Sequence, residues 1–405
     1  MVHRVNFMKL LSSKRSGSAM PLVLLAVVLL FLIGIGLFAL GLRSRVFAVK
    51  SSSEIAARCA ADAGLVQALF ELNQQLEVKP WNDSSLPSAT DQTLTNCDAT
   101  YSYEVGNDGS DYFIESVGKS GEAMKEVRCV LDLEGPFDKY ALFAQNGIIL
   151  KPGTSVEGAF NLPIDVILMV GTNSTGEATI EARTGVTIDG DVVVGVGGDP
   201  EHVINSKWEA TITGQTSALT EAHQLPSVTI PKYLIELPSM GEIKTDKTIS
   251  SDARCEGIVL STGEEVTIEN DVTLYVQGPI TLTGSSQISV SSKPGTFLVL
   301  YVKGDISCNV DSYINNINAK PERLIIYGLD QCTEIEFNKA SNFYGGIYAP
   351  NADVKIFNSV DVYGAIVAKS FIQQVEADVY YDEMLRNPHP NDELVRFVVK
   401  QWSEN

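Results

Sequence analysis

Apolar and polar positions divide the chain into three stretches with different periods. From Ser18 to Leu42 a run of 25 residues carries no charge, against the roughly 20 that cross a hydrocarbon core. A membrane-spanning helix is predicted there. Beyond it Ile55, Cys59, Ala63, Val66 and Phe70 recur at spacings of four, four, three and four, which is one apolar stripe on a helix. Pro80 ends the pattern, so the helical segment is expected over residues 18–78. Residues 97–133 then alternate with period two. Tyr101, Tyr103 and Val105, then Tyr112, Ile114 and Ser116, then Val127, Cys129 and Leu131 predict three antiparallel strands within a small unit over 79–135. The Gly-Pro pair in "EGPFD" is a boundary signal, because it interrupts strand and helix alike.

After that boundary a strand closing on glycine returns. "YVQG" ends at Gly278, "YVKG" at Gly304, "IIYG" at Gly328 and "FYGG" at Gly346, and "VYGA" has its glycine at Gly364, giving intervals of 26, 24, 18 and 18 residues. Strands recurring near every 20 residues predict a solenoid whose units bury their faces by stacking. Val266, Ile268, Val272, Leu274, Val276, Ile280, Leu282, Ile288 and Val290 alternate between turns, as three short strands per unit require. Residues 199–237 do not repeat and are expected to protrude as loops. An immunoglobulin-like sandwich also gives short strands at such spacings and remains the competing fold.

Charge changes the picture by setting orientation. Residues 1–50 hold seven Lys or Arg and no acid, which leaves 23 basic against 50 acidic residues in the body. Nucleic-acid binding is set aside, since it relies on cations displacing counterions. Arg4, Lys9, Lys14 and Arg15 precede the span, so residues 1–17 are expected to be a cytoplasmic leader with the body beyond the inner membrane. Along the span Ala19, Ala26, Gly34, Gly41 and Ala48 fall within an arc of roughly 80°. They offer a flat face to another helix, although Gly and Ala are common in membrane helices in any case.

A basic leader ending in glycine, "KRSGSAMPLVLLAVVLLFLIGIGLFAL", followed by the alanine-rich "ARCAADAGLVQALFELN", resembles the N-terminal region of PilX-type minor pilins and type IV pilus assembly proteins. The resemblance implies cleavage between Gly17 and Ser18 by a prepilin peptidase, and helix packing with other pilin-like subunits. It departs at the fifth mature position, where major pilins carry a glutamate and this chain has Leu22. A minor, tip or assembly role is implied rather than that of the repeating subunit. The closing stretch from "FYGGIYAPNADVKIF" to "VYYDEML" resembles the last coils of β-helix domains in bacterial envelope proteins. The expected fold is therefore mainly β: a long N-terminal membrane-spanning α-helix, a small α+β unit, a right-handed parallel β-helix over 136–381 and a C-terminal cap over 382–405.

Candidate chemistry is sparse. Asp189, Asp191, Glu264, Glu265, Glu269 and Asp271 are the carboxylates that could pair on one face or hold calcium, but they sit in Gly, Asn and Thr turns without a basic neighbour in sequence. His3, His202, His223 and His389 lack ligand spacing, and "VGVGGDP" has no helix after it to form a phosphate turn. No catalytic residue, metal or cofactor is expected. Phe343, Tyr344, Tyr348, Tyr363, Tyr380 and Tyr381 would either line a sugar-binding groove or stack between units. Cys97 and Cys129 bracket the strand-rich unit, where a disulfide and two separate thiols are both open. The function expected is a non-enzymatic pilin-like minor subunit displaying its β-helix for surface contact, adhesion or polysaccharide binding. A membrane-anchored carbohydrate-active enzyme and a static envelope scaffold are the alternatives.

Overall fold

Fifty-seven consecutive residues form one helix, α1 (Met20–Leu76). The structure, a computed structural model, describes residues 19–404 apart from 110, 160–166, 310, 317–318, 339–341, 358–359, 375–376 and 387. It divides into two units, the first holding 1–72, 83–131 and 399–405, the second 73–82 and 132–398.

In the first unit four strands follow α1: β1 (Ser88–Thr93), β2 (Thr100–Asn107), β3 (Tyr112–Ser120) and β4 (Ala123–Glu134). Their pairings are antiparallel, with Tyr103 opposite Ser116 and Ile114 opposite Cys129. The predicted alternation holds: Tyr103, Val105, Ile114, Ser116, Val127, Cys129 and Leu131 are buried. The apolar stripe on the helix is not its packed side. Ile55, Val66 and Phe70 are 62%, 65% and 55% exposed, and the buried residues are Ala57, Ala60, Ala61, Leu65, Ala68 and Leu72. Close approach is the reason. A Cβ on Gly118 would lie 1.9 Å from the Ala57 carbonyl oxygen and 2.4 Å from the Ala61 nitrogen, so only small side chains fit where the helix crosses Gly118. The Ser116 hydroxyl donates to the Ala61 carbonyl at 2.7 Å across the same contact.

Of residues 382–405, expected as a cap, Leu385 and Leu394 pack on the core of the second unit and the last strand joins the first sheet. Arg396–Glu404 is the fifth strand of the antiparallel sheet, beside β4. There Glu404 pairs with Arg58 at 3.2 Å and Lys125 at 3.3 Å.

The second unit is built from parallel pairings. Twenty-one described strands form one sheet and four another, and the chain visits three columns before returning to the first. The inward ladder of one column reads Ala253, Leu274, Leu300, Ile326, Ile347, Ile366, Leu142, Val170 and Val192. All of these are buried, as parallel strands covered on both faces require. The order is not that of the sequence: β5 (Leu142–Leu150) lies between Val362–Gln373 and Met169–Thr172. The two outer ends of the columns are thus joined by residues 219–238, which run back as a strap. Along it His223 packs on Tyr140 and Phe143 at 4.9 and 4.7 Å between ring centres, Pro226 accepts from the Tyr348 hydroxyl at 2.8 Å, and Tyr233 donates to Asp252 at 2.9 Å. The stretch 199–237 is therefore not all protruding loop. Ile204–Ser206, Thr211–Ile212 and Thr216–Ala218 are strands in the columns.

Candidate functional site

The helix α1 carries most of what the sequence singled out. Residues 20–50 are exposed throughout and long and apolar enough to cross a membrane. Leu22 is 74% exposed. Ala19, Ala26, Gly34, Gly41 and Ala48 are exposed too, and a Cβ at Gly34 or Gly41 would meet nothing within 4 Å. Gly17 and Ser18 lie outside the described residues. In its outer half α1 is apolar on two sides. The small-residue side is buried on β3, and the side of Ile55, Cys59, Val66 and Phe70 stays open to solvent.

A further polar contact ties this half to β2. Tyr103 on β2 donates its hydroxyl to Glu71 Oε2 at 2.7 Å, and Gln67 donates to Glu71 Oε1 at 2.8 Å. Burial, reinforced by the Glu71 carboxylate, raises the Tyr103 phenol well above its ordinary value, so it remains a donor. Sequence periodicity could not find this pair, because its partners are 32 residues apart on elements of different period.

Cys97 and Cys129 are both free thiols and are not paired. Cys129 is buried against α1, where burial and the nearby Asp62 push its thiol up to about 11, while Cys97 is exposed in the turn after β1.

Most of the nominated carboxylates are bonded within their own turn or to an adjoining segment of the chain. Asp189 accepts from the Thr213 hydroxyl at 2.7 Å, Asp191 from the Gln215 N–H at 2.7 Å, and Glu264 from the Ser261 N–H at 2.7 Å. Glu265 accepts from the Ser289 hydroxyl. Glu269 does have a basic partner, Lys293 at 3.4 Å, which sequence adjacency did not reveal. Burial raises the Asp271 carboxyl. Among the described residues no group of three His, Cys, Asp or Glu could hold a metal ion.

The aromatic residues separate into two columns. Tyr344, Tyr363 and Tyr380 stack at 4.6 and 4.8 Å and are half-buried. Their faces are spent on one another, so they present edges rather than a platform for a sugar ring. Tyr275, Tyr301, Tyr327 and Tyr348 occupy matching register positions. All four are buried. Their recurrence is what the "YVQG", "YVKG" and "IIYG" repeats encode. Phe343 and Tyr381 are core residues, Tyr381 donating to the Phe137 carbonyl at 2.8 Å.

Where the strap begins, a cavity of about 590 Å³ is lined by Glu134, Asp138, Lys139, His223, Leu394 and Arg396 among others. Lys139 at 2.6 Å and Arg396 at 2.7 Å both pair with Glu134. Burial works to raise the Glu134 carboxyl, and these two cations more than reverse it. His223 falls to about 4, through burial first and then Lys139 and Arg396, and is neutral at physiological pH. Asp138 rises to about 7 by burial. Its Oδ2 accepts from Gly135 N–H at 2.5 Å and its buried Oδ1 has no partner.

Comparison with known proteins adds three findings. The family model described as a domain of unknown function (DUF7305) matches residues 258–388, within the parallel-stranded unit. No curated protein matches the chain. Among solved structures, the competence-associated pilin ComZ from Thermus thermophilus is similar at 12% identity over 87% of this chain and 98% of that chain, with a TM-score of 0.26.

Proposed function

We propose that this chain is a non-enzymatic, pilin-like minor subunit of a type IV pilus, a related secretion filament or its assembly machinery. In this reading α1 crosses the inner membrane with its N-terminus in the cytoplasm, and a prepilin peptidase cuts after Gly17. The parallel columns wind as a right-handed β-helix, held outside the cytoplasm for surface contact or adhesion. The division of α1 carries the reading. An apolar, wholly exposed first half is what a membrane, and afterwards neighbouring helices, would cover. The outer half then buries one side in its own sheet and leaves Ile55, Val66 and Phe70 uncovered, a second side for a neighbouring subunit. Among the nominated carboxylates, Asp189, Asp191, Glu264 and Glu265 are tied to their own structure, so these four lend the enzyme reading no support.

A photo-reactive amino acid at Phe70 or at Ala61 tests the proposal in membranes of the native host. Position 70 should cross-link to another pilin-like chain and position 61 only within its own chain. The same intramolecular result at both positions would remove the subunit role.

A further inference from the structure

The cavity of about 590 Å³ beside Glu134 lies wholly within the second unit and is of a size that takes small organic ligands. One wall is held at both of its ends. The Asn173 amide donates to and accepts from the His223 backbone at 2.8 and 2.9 Å, and the Tyr348 hydroxyl donates to the Pro226 carbonyl at 2.8 Å. Residues 223–226 are therefore preorganised, which lowers the cost of binding.

The cations of the lining have bonding capacity to spare. Lys139 reaches Glu134 Oε1 at 2.6 Å, and Arg396 gives Nε and one terminal nitrogen to Oε2 at 3.0 and 2.7 Å. The other guanidinium nitrogen and the remaining ammonium protons have no partner among the described residues. Both cations are at least half exposed, whereas the Glu134 side chain they share is 22% exposed. Lys139 and Arg396 each act on the His223 imidazole more strongly than Glu134 does, so the field there is positive in a chain of net charge −20. Two other carboxylates line the cavity without cancelling it. Glu221 is exposed to water, which screens it. Asp138 keeps one oxygen on the Gly135 N–H and has the other sealed from solvent. Leu219, Leu225 and Pro226 add apolar surface, which a bare inorganic ion would leave uncovered.

We propose that this cavity binds a small organic anion, its carboxylate seated on the spare N–H groups of Lys139 and Arg396 and its body against Leu219, Leu225 and Pro226. The His223 imidazole and the Tyr140 hydroxyl supply further polar contacts. Tyr140 is 4% exposed, and its hydroxyl has no hydrogen-bond partner among the described residues. The inference concerns the second unit alone and does not depend on the pilin reading.

The test follows His223 by NMR in the full chain in detergent, with carbon-13-labelled histidine and the signal assigned through His223→Gln. Hexanoate and glucuronate are the probes. Both carry a carboxylate, one on an apolar body and one on a hydroxylated ring, and the tighter of the two identifies the body that the cavity takes. Binding should raise the His223 midpoint from about 4 by about one pH unit, which corresponds to a tenfold preference for the protonated imidazole. Lys139→Gln or Arg396→Gln should weaken binding about tenfold, the loss of one charge-assisted hydrogen bond. Glu134→Gln removes the competing carboxylate and should tighten binding about tenfold, a gain that a damaged fold would not give. Methyl glucoside, which is uncharged, and inorganic sulfate should both bind more weakly than the better carboxylate. No shift with either carboxylate, equal binding of the glucoside, sulfate binding as tightly (an adventitious ion only), or no gain in Glu134→Gln would overturn the proposal.

Discussion

Replacing Gly118 by alanine tests how α1 is held, because the contact it makes is with backbone. The new Cβ would stand 1.9 Å from the Ala57 carbonyl oxygen, 2.4 Å from the Ala61 nitrogen and 3.0 Å from the Ala57 carbonyl carbon. A normal separation is about 3.4 Å or more, so helix and strand must part by about 1.5 Å. None of these atoms belongs to a flexible side chain that could swing aside. Parting would stretch the 2.7 Å bond from Ser116 to the Ala61 carbonyl and loosen Ala57, Ala60, Ala61 and Leu65 against the sheet. Overpacking of a tight core costs about 1–3 kcal/mol, and a weakened buried hydrogen bond adds about 1 kcal/mol. Chemical denaturation of the full chain in detergent, with hydrogen exchange of residues 55–72, should show a loss of about 2–4 kcal/mol and faster exchange along that helix. Gly34→Ala, where a Cβ meets nothing within 4 Å, is the control and should change neither. A Gly118→Ala protein within about 0.5 kcal/mol of the parent would refute the close packing.

Further outcomes follow from the same contacts. Tyr103→Phe, which leaves Glu71 Oε2 without its 2.7 Å donor, should cost about 1–2 kcal/mol by denaturation without moving the strands. Asn173→Ala removes the amide that both donates to and accepts from the His223 backbone at 2.8 and 2.9 Å. Hydrogen exchange should then speed up in residues 222–226 and stay unchanged in the inward ladder. Asp138, raised to about 7 by burial and facing Glu134, Asp132 and Arg386, favours folding while protonated. That contribution is full below the ordinary carboxylate range and is lost as pH rises through about 7. After allowing for partial solvent screening, the parent should lose about 1–2 kcal/mol between pH 5 and 8, and Asp138→Asn should lose less; equal losses would contradict the assignment.

The elements that could be read from sequence were those with a local period. The alternation of Tyr101 to Leu131 marked the inward face of β2, β3 and β4, and the glycine-ended repeats marked parallel strands. The apolar stripe of Ile55, Val66 and Phe70 does not say which side packs: opposite Gly118 the packed side needs the small Ala57 and Ala61, and apolarity alone does not show that close approach. Nothing local foretells that β5 pairs with Val362–Gln373 over more than 200 residues, or that residues 219–238 become a strap. A pairing fixed by the return of the chain leaves no signature in either partner. The tyrosine recurrence was visible at Tyr275, Tyr301 and Tyr327, yet its cause lies in a shared register position. Likewise the last strand, Arg396–Glu404, is expected in the cap from its place after the repeat, and its alternation does not say which sheet it will join.

The reading as a pilin-like subunit rests on α1 being retained after its leader is removed. Intact mass spectrometry and N-terminal sequencing of the chain extracted from membranes of a host that has the peptidase test this directly. The account predicts a mature chain beginning at Ser18 with residues 20–76 intact. Molecules that all begin at Met1, or that have lost the helix up to Leu42, would contradict it.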